Sequence, residues 1–307
     1  KIKDLQNINE KKKLLLVTGG AGFVGSNLIL YLIQNTKYEI LSLDNYSSGS
    51  KKNHIKNKRI TYINGDTKDI FRLLNKYQSK IETIFHFGEF SRIFQSFEKF
   101  NKCFNSNSLG SLEVFKYCLE NNIKLIYSAT SASLDLKNKD KNKNLSPYSF
   151  SKQKNLELLE NLKKWFDLKF EIIYFYNVYG PHQISDGYMA TVIGIFEKQY
   201  IEKKPLTVVR PGSQTRKFTH IDDTVKTCIE AWKKNKCRHY SVFNKNNYSV
   251  LDVAKMFKSR IVYIPSRKGE RYASALTKMN LKNKVHKSIG KINLKDYIEN
   301  FLAKVNI

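Results

Sequence analysis

The stretch Leu14–Asp44 narrows what this chain can fold into more than any other. Leu14, Leu15, Leu16 and Val17 form an apolar run without alternation, the pattern of a strand buried on both faces. Thr18-Gly19-Gly20-Ala21-Gly22-Phe23-Val24-Gly25 follows at once. Ser26–Ile33 is apolar at helical spacing, and Glu39–Asp44 reads as a second strand ending in an acid. Strand, glycine turn, helix, strand and carboxylate together make a mononucleotide-binding βαβ unit. Gly19 permits the tight turn, Gly22 lets backbone approach a pyrophosphate, and Gly25 lets the helix pack close to the strand. The helix N-terminus, with Phe23 and Val24 beside it, offers N–H groups and a positive dipole end to phosphates. Asp44 stands 19 residues after Gly25, close to the spacing of a carboxylate that binds adenosine ribose hydroxyls. That charge should repel a 2′-phosphate and favour NAD over NADP, although Lys51 and Lys52 nearby act the other way.

At 307 residues the chain is long enough for a large core or two lobes. No apolar run approaches the ~20 residues of a membrane span. No signal-peptide pattern is present in these residues. Cys103, Cys118, Cys228 and Cys237 are scattered without a C-x-x-C pair, which suits a reducing cytoplasm and argues against zinc. The formal net charge is +27. Such an excess is compatible with a nucleic-acid or anionic-membrane surface. The lysines, however, are dispersed apart from Lys11–Lys13 and Lys137–Lys143, as in chains with an A/T-rich coding bias, and no nucleic-acid module accompanies them. We therefore expect no nucleic-acid partner. A positive field would still attract an anionic diphosphate substrate.

Further along, Ile60–Ile63, Thr83–Phe87, Lys124–Tyr127 and Phe170–Tyr176 read as strands. Between them Ile70–Tyr77, Asn105–Leu119 and Pro147–Trp165 read as helices, with Leu109, Leu112, Val114, Phe115 and Cys118 on the apolar side of the second. Strands alternating with helices imply a parallel sheet covered on both faces. From Asn177 the alternation breaks up. Leu206–Val209, Tyr240–Phe243 and Ile261–Ile264 read as short strands among helices at Val192–Gln199, Asp223–Lys233 and Val250–Phe257. The expected architecture is α/β: a doubly wound parallel sheet over 12–176 and a smaller mixed α/β lobe mainly over 177–307, with an interleaved boundary. The lobe should close over the strand C-terminal edge, where such sheets bind ligands. On that edge Asn45, Ser47 and Gly49 after the second strand, Asp66 and Thr67 after the third, and Phe87 and Gly88 after the fourth are expected around the cofactor.

Tyr148 and Lys152 stand at i and i+4 and share one helix face. A tyrosine with pKa near ~10 is a poor base at neutral pH, and a nearby ammonium favours its phenolate. In so lysine-rich a chain the spacing alone fits a surface pair equally well. Its place, opening a helix right after the fifth strand of a dinucleotide sheet, points instead to chemistry. The fifth strand ends Tyr127-Ser128-Ala129-Thr130-Ser131, a hydroxyl-rich end that either meets substrate or bonds its own backbone.

The G-x-x-G-x-x-G spacing of Thr18–Ser26, with Tyr148-x-x-x-Lys152, resembles the extended short-chain dehydrogenase/reductase family of nucleotide-sugar enzymes. Asn177-Val178-Tyr179-Gly180-Pro181, Gln214-Thr215-Arg216-Lys217-Phe218 and Arg267-Lys268-Gly269-Glu270 are similar to three further segments of that family. The resemblance spans nearly the whole chain from Lys12. It implies a Rossmann-type fold, NAD as cofactor, and Tyr148, Lys152 and Thr130 as the catalytic set, with Ser131 the alternative to Thr130. It implies that Asn177, Arg216 and Arg267 bind the sugar diphosphate, that Leu206 lines the nucleotide base, and that Ser274 sits beside the sugar C2 substituent, where a small residue admits an N-acetyl group. Bidentate arginines suit phosphate. It further implies a homodimer through the helices Asn105–Leu119 and Pro147–Trp165.

Departures from the pattern sharpen the expectation. Where the family has His-Leu-Ala-Ala this chain has His86-Phe87-Gly88-Glu89, and Glu89 has three open roles: pairing with Arg92, touching substrate, or altering the chemistry. Family dehydratases and decarboxylases carry an acid after the catalytic Thr, whereas Ser131-Ala132 supplies none. The expected activity is therefore NAD-dependent epimerisation at C4 of a nucleotide-diphosphate sugar, most simply a UDP-sugar, through a transient 4-keto sugar. The alternatives are a dehydratase, decarboxylase or reductase on a similar sugar, or a non-catalytic NAD-binding partner protein.

Overall fold

The computed structural model describes residues 14–130, 146–266 and 285–305. The chain order begins β1 (Leu14–Thr18), α1 (Phe23–Asn35), β2 (Glu39–Asp44), β3 (Ile60–Asn64), α2 (Ile70–Leu74), β4 (Ile81–His86), α3 (Gln95–Glu98) and α4 (Phe100–Phe104). It continues α5 (Ser111–Glu120), β5 (Lys124–Thr130), α6 (Pro147–Phe166), β6 (Phe170–Phe175), β7 (Val178–Tyr179), α7 (Val192–Ile201), β8 (Leu206–Val209), β9 (Thr215–Lys217) and β10 (Thr219–His220). It closes with α8 (Ile221–Trp232), β11 (His239–Phe243), β12 (Asn247–Ser249), α9 (Val250–Met256), β13 (Ile261–Ile264), β14 (Val285–Ile289) and α10 (Leu294–Val305).

Eight strands form one parallel sheet in the order β14-β11-β6-β5-β4-β1-β2-β3. This is a Rossmann-type doubly wound sheet: the order reverses between β1 and β4, opening a crevice at their C-terminal ends. The apolar run of β1 explains how both faces are covered. Leu14 and Leu16 pack with Ile70, Leu74, Val114 and Leu159 on the side of α2, α5 and α6. Leu15 and Val17 point the other way, onto Leu28, Ile29, Val225 and Cys228 of α1 and α8. Alternate residues of one strand thus feed two cores, as the period of two requires.

A third core gathers Phe196, Leu206, Val208, Val253, Phe257, Leu294 and Ile298 from the elements after β6. β8 pairs with β13, and β9 with β12, outside the main sheet. The part after Asn177 is not wholly separate, however. β11 and β14 extend the central sheet beside β6, and α8 packs on it. The strand β14 and the helix α10 were not anticipated, although Leu294, Ile298 and Leu302 carry the i, i+4 pattern of a helix with one buried face.

One expected helix differs. Asn105–Leu119 is not a single α-helix: a π-helical segment, Asn105–Gly110, joins α4 to α5. The wider turn shifts the phase of the apolar stripe. Val114, Phe115 and Cys118 are buried as expected, but Leu109 and Leu112 face outward at 54% and 38% exposure. No helix among the described residues is long and apolar enough to cross a membrane.

Candidate active site

A cavity of about 710 Å³ opens at the crevice between β1 and β4. Its floor is the glycine turn. Gly19 adopts φ +69°, and a Cβ there would fall 2.8 Å from the backbone nitrogen of Gly88. A Cβ on Gly25 would fall 2.2 Å from the Gly19 carbonyl oxygen, so α1 can approach β1 only with glycine at that position. Gly22 caps α1 with no side-chain bond to its first N–H groups. An uncapped helix N-terminus aimed into a cavity suits a dinucleotide pyrophosphate, so the residues present fit the cofactor of such a fold. Gly19, Gly22, Phe23, Val24, Gly25, Asp44, Asn45, Ser47, Asp66, Thr67, Phe87 and Gly88 all line the cavity. Gly49 does not; it packs over Asp44, where a Cβ would meet both carboxylate oxygens at 2.9 Å. Asp44 accepts the N–H of Ala21 at 2.9 Å and of Tyr46 at 2.8 Å, which ties the acid to the glycine loop. Burial holds its pKa above the ordinary carboxylate value against those bonds.

The reactive groups come from three elements. Ser146 accepts the N–H of Ser149 at 3.1 Å and Pro147 follows it, which starts α6 and sets Tyr148 in its first turn. The Tyr148 side chain is hydrogen-bonded to Thr130 at the end of β5. Both residues line the cavity with Lys152. Tyr148 is buried, and burial is the main cause that pushes its pKa up to about 12. The Thr130 bond and Arg92 act against this rise, while Glu89 and Cys103 add to it. The phenol is therefore not acidified by its surroundings here, contrary to the expectation for a tyrosine beside a lysine.

Lys152 is taken up by Glu89. Their ion pair is buried, with side-chain exposures of 4% and 2%. Lys152 also donates to the Ser128 carbonyl oxygen. The other Glu89 oxygen, Oε1, accepts from Ser111 Oγ at 2.9 Å, Tyr127 Oη at 3.0 Å and Asn155 Nδ2 at 3.2 Å. Glu89 lines the cavity, but its carboxylate is committed to protein donors. The sequence-based pairing with Arg92 is not found: Arg92 donates to the carbonyls of Ser91 (3.0 Å) and Met189. Its Nε is buried without a partner among the described residues.

Proton inventory fixes the rest of the network. The Thr18 hydroxyl accepts the N–H groups of Phe87 (3.1 Å) and Gly88 (3.0 Å), so its proton goes to His86 Nδ1, 2.7 Å away. His86 Nε2 then carries the ring proton toward Ser111 Oγ at 2.9 Å, and Ser111 donates onward to Glu89. Burial pushes the His86 pKa down to about 4, which keeps the ring neutral. Ser111, Tyr127 and Asn155 were missed by sequence reasoning. Asn155 follows Lys152 by three and Tyr148 by seven residues on the same helix face, a signal that was available.

Of the expected substrate residues, Asn177 and Arg216 line the cavity, and Asn177 Nδ2 donates to the Lys217 carbonyl at 2.9 Å. Leu206 is a correction. It is fully buried in the third core rather than on the cavity wall, because β8 turns it toward Phe196 and Phe257. Ser131, Arg267 and Ser274 lie outside the described residues.

The fold and the glycine cradle define a dinucleotide-binding protein of the Rossmann type. A sequence model of the NAD dependent epimerase/dehydratase family matches residues 15–244, and the chain belongs to that family. It is 28% identical over 273 residues to a putative UDP-glucose 4-epimerase of Methanocaldococcus jannaschii, covering 84% of this chain and 88% of that one. It is 27% identical over 264 residues to UDP-glucuronic acid decarboxylase 6 of Arabidopsis thaliana, covering 80% and 74%. The fold matches the crystal structure of a UDP-glucose 4-epimerase from Thermotoga maritima with a TM-score of 0.83 at 24% identity, covering 96% of this chain and all of the other. The cofactor is NAD, as the family's description states.

Proposed function

We propose that the protein epimerises a nucleotide-diphosphate sugar, a UDP-sugar, at C4. The observation that carries this reading is the buried Tyr148 hydrogen-bonded to Thr130 in the cavity that the glycine cradle also lines, with Lys152 one turn along. Bound NAD supplies the acceptor for the C4 hydride and returns it, so no external reductant enters. Tyr148 Oη takes the proton of the sugar 4-hydroxyl and gives it back after the ring has turned over. Thr130 Oγ1 orients that hydroxyl. Lys152 would hold the nicotinamide ribose of the cofactor. Arg216 and Asn177, which also line the cavity, hold the diphosphate so that only the sugar rotates. No acid directly follows Thr130, which argues against loss of water at C6 by the family's usual route.

The reading extends to assembly. Phe100, Leu109, Leu112 and Phe150 are exposed apolar residues on α4–α5 and α6. Phe104 stacks between Phe100 and Phe150, at 4.5 and 6.1 Å. These two segments would form the homodimer interface.

Proton NMR of UDP-glucose and UDP-N-acetylglucosamine incubated with the purified protein, without added cofactor, tests the reading. Appearance of the matching C4 epimer supports it. A C6-deoxy-4-keto product, or no change with either sugar, contradicts it.

A further inference from the structure

The carboxylate of Glu89 is the least explained group in the cavity. It is buried, and four donors converge on it from three elements: Lys152 Nζ and Asn155 Nδ2 from α6, Ser111 Oγ from α5 and Tyr127 Oη from β5. These donors fill the acceptor sites of the carboxylate and hold it in one orientation. It also has a fixed location, for Lys152 is held from a second side by the Ser128 carbonyl.

We propose that Glu89 is a positioning residue that fixes Lys152 and sets the pH at which Tyr148 loses its proton. Held against Glu89, the ammonium of Lys152 offers the phenol little net positive charge. The two form a neutral pair, and like-signed influence on a phenolate comes from the carboxylate. The remaining groups around the pair do not replace it. His86 from β4 is neutral, and the Cys103 thiol from α4 is held protonated, its pKa pushed up to about 11 by burial. Tyr127 from β5 stays a phenol for the same reason. Arg92, in the segment after β4, also acts on Tyr148, and it favours the phenolate. Removing the Glu89 charge leaves Lys152 and Arg92 unopposed. With the carboxylate's opposition gone, Tyr148 loses its proton at lower pH.

This inference rests on the assignment of Tyr148 as the acid–base group, but its test does not require turnover. The probe is the ultraviolet absorption of the phenolate in NAD-loaded protein. Each protein is measured across pH against its own Tyr148→Phe counterpart, which isolates Tyr148 from the other tyrosines. At matched pH on the rising limb, Glu89→Gln should hold about tenfold more Tyr148 phenolate than the wild type, a midpoint lowered by about one unit. An equal or smaller phenolate fraction overturns the proposal, even if the variant has lost turnover. Should the Gln variant not fold, Glu89→Ala places at that position the small side chain usual in the family, and it is read in the same way. A wild-type protein that titrates as expected yet epimerises no sugar would remove the functional reading and leave this one standing.

Discussion

Gly19 and Gly88 meet backbone to backbone: a Cβ on Gly88 would lie 2.9 Å from the nitrogen of Gly19, and one on Gly19 2.8 Å from the nitrogen of Gly88. The ends of β1 and β4 can close into a cofactor floor only because neither residue has a side chain. Gly88→Ala should therefore cost about 1–3 kcal/mol of stability from overpacking. The same change should sharply reduce NAD retained on purification, measured by the nucleotide released on denaturation. Unchanged NAD content would mean that this contact does not shape the floor.

His86 predicts how stability depends on pH. Its folded pKa, about 4, lies below the ordinary 6.5. The unfolded chain therefore binds a proton between these values that the native ring refuses. The contribution is complete above 6.5 and is lost as pH falls toward 4, amounting to about 3 kcal/mol over the whole window. Denaturant unfolding at pH 7 and pH 5 should show the wild type losing about 2 kcal/mol more than a His86→Gln variant. Parallel losses in both proteins would contradict the neutral buried ring.

The parts legible in the sequence were those written in local pattern. β1 showed its two-sided burial in four consecutive apolar residues, and the glycine spacing gave the turn, the cradle and the start of α1. Tyr148 and Lys152 were visible as an i, i+4 pair. Glu89 was visible as an anomaly but not as a partner, because its four donors come from elements that only the folded sheet brings together. Lys152 consequently does not act on Tyr148 in the way the spacing suggested. Leu206 was misplaced for a related reason: a short strand shows which residues alternate, not which face meets the core. The π turn at Asn105–Gly110 carries no sequence mark that separates it from an ordinary helix, so the outward faces of Leu109 and Leu112 were not foreseen.

Arg92 favours the Tyr148 phenolate, opposite in sign to Glu89. Arg92→Gln should thus move the acidic limb of the pH–turnover profile to higher pH, by about half a unit to one unit. Arg92→Lys, which keeps the charge, should move it less. A limb that stays in place in the Gln variant would mean that this guanidinium does not tune the tyrosine.

The exposed apolar residues of α4–α5 and α6 give an assembly prediction. The double change Leu109→Glu and Leu112→Glu places charges at 54% and 38% exposed positions. It should convert a dimer to a folded monomer, read by light scattering on a sizing column. A wild type that is already monomeric, or a variant that remains dimeric, would move the interface elsewhere.

The central claim is that one phenol carries the sugar's proton, and Tyr148→Phe tests it most directly. Turnover of the nucleotide sugar should fall at least about a thousandfold, while its dissociation constant, measured by calorimetry on NAD-loaded protein, changes by no more than a few-fold. Turnover near that of the wild type would contradict the account.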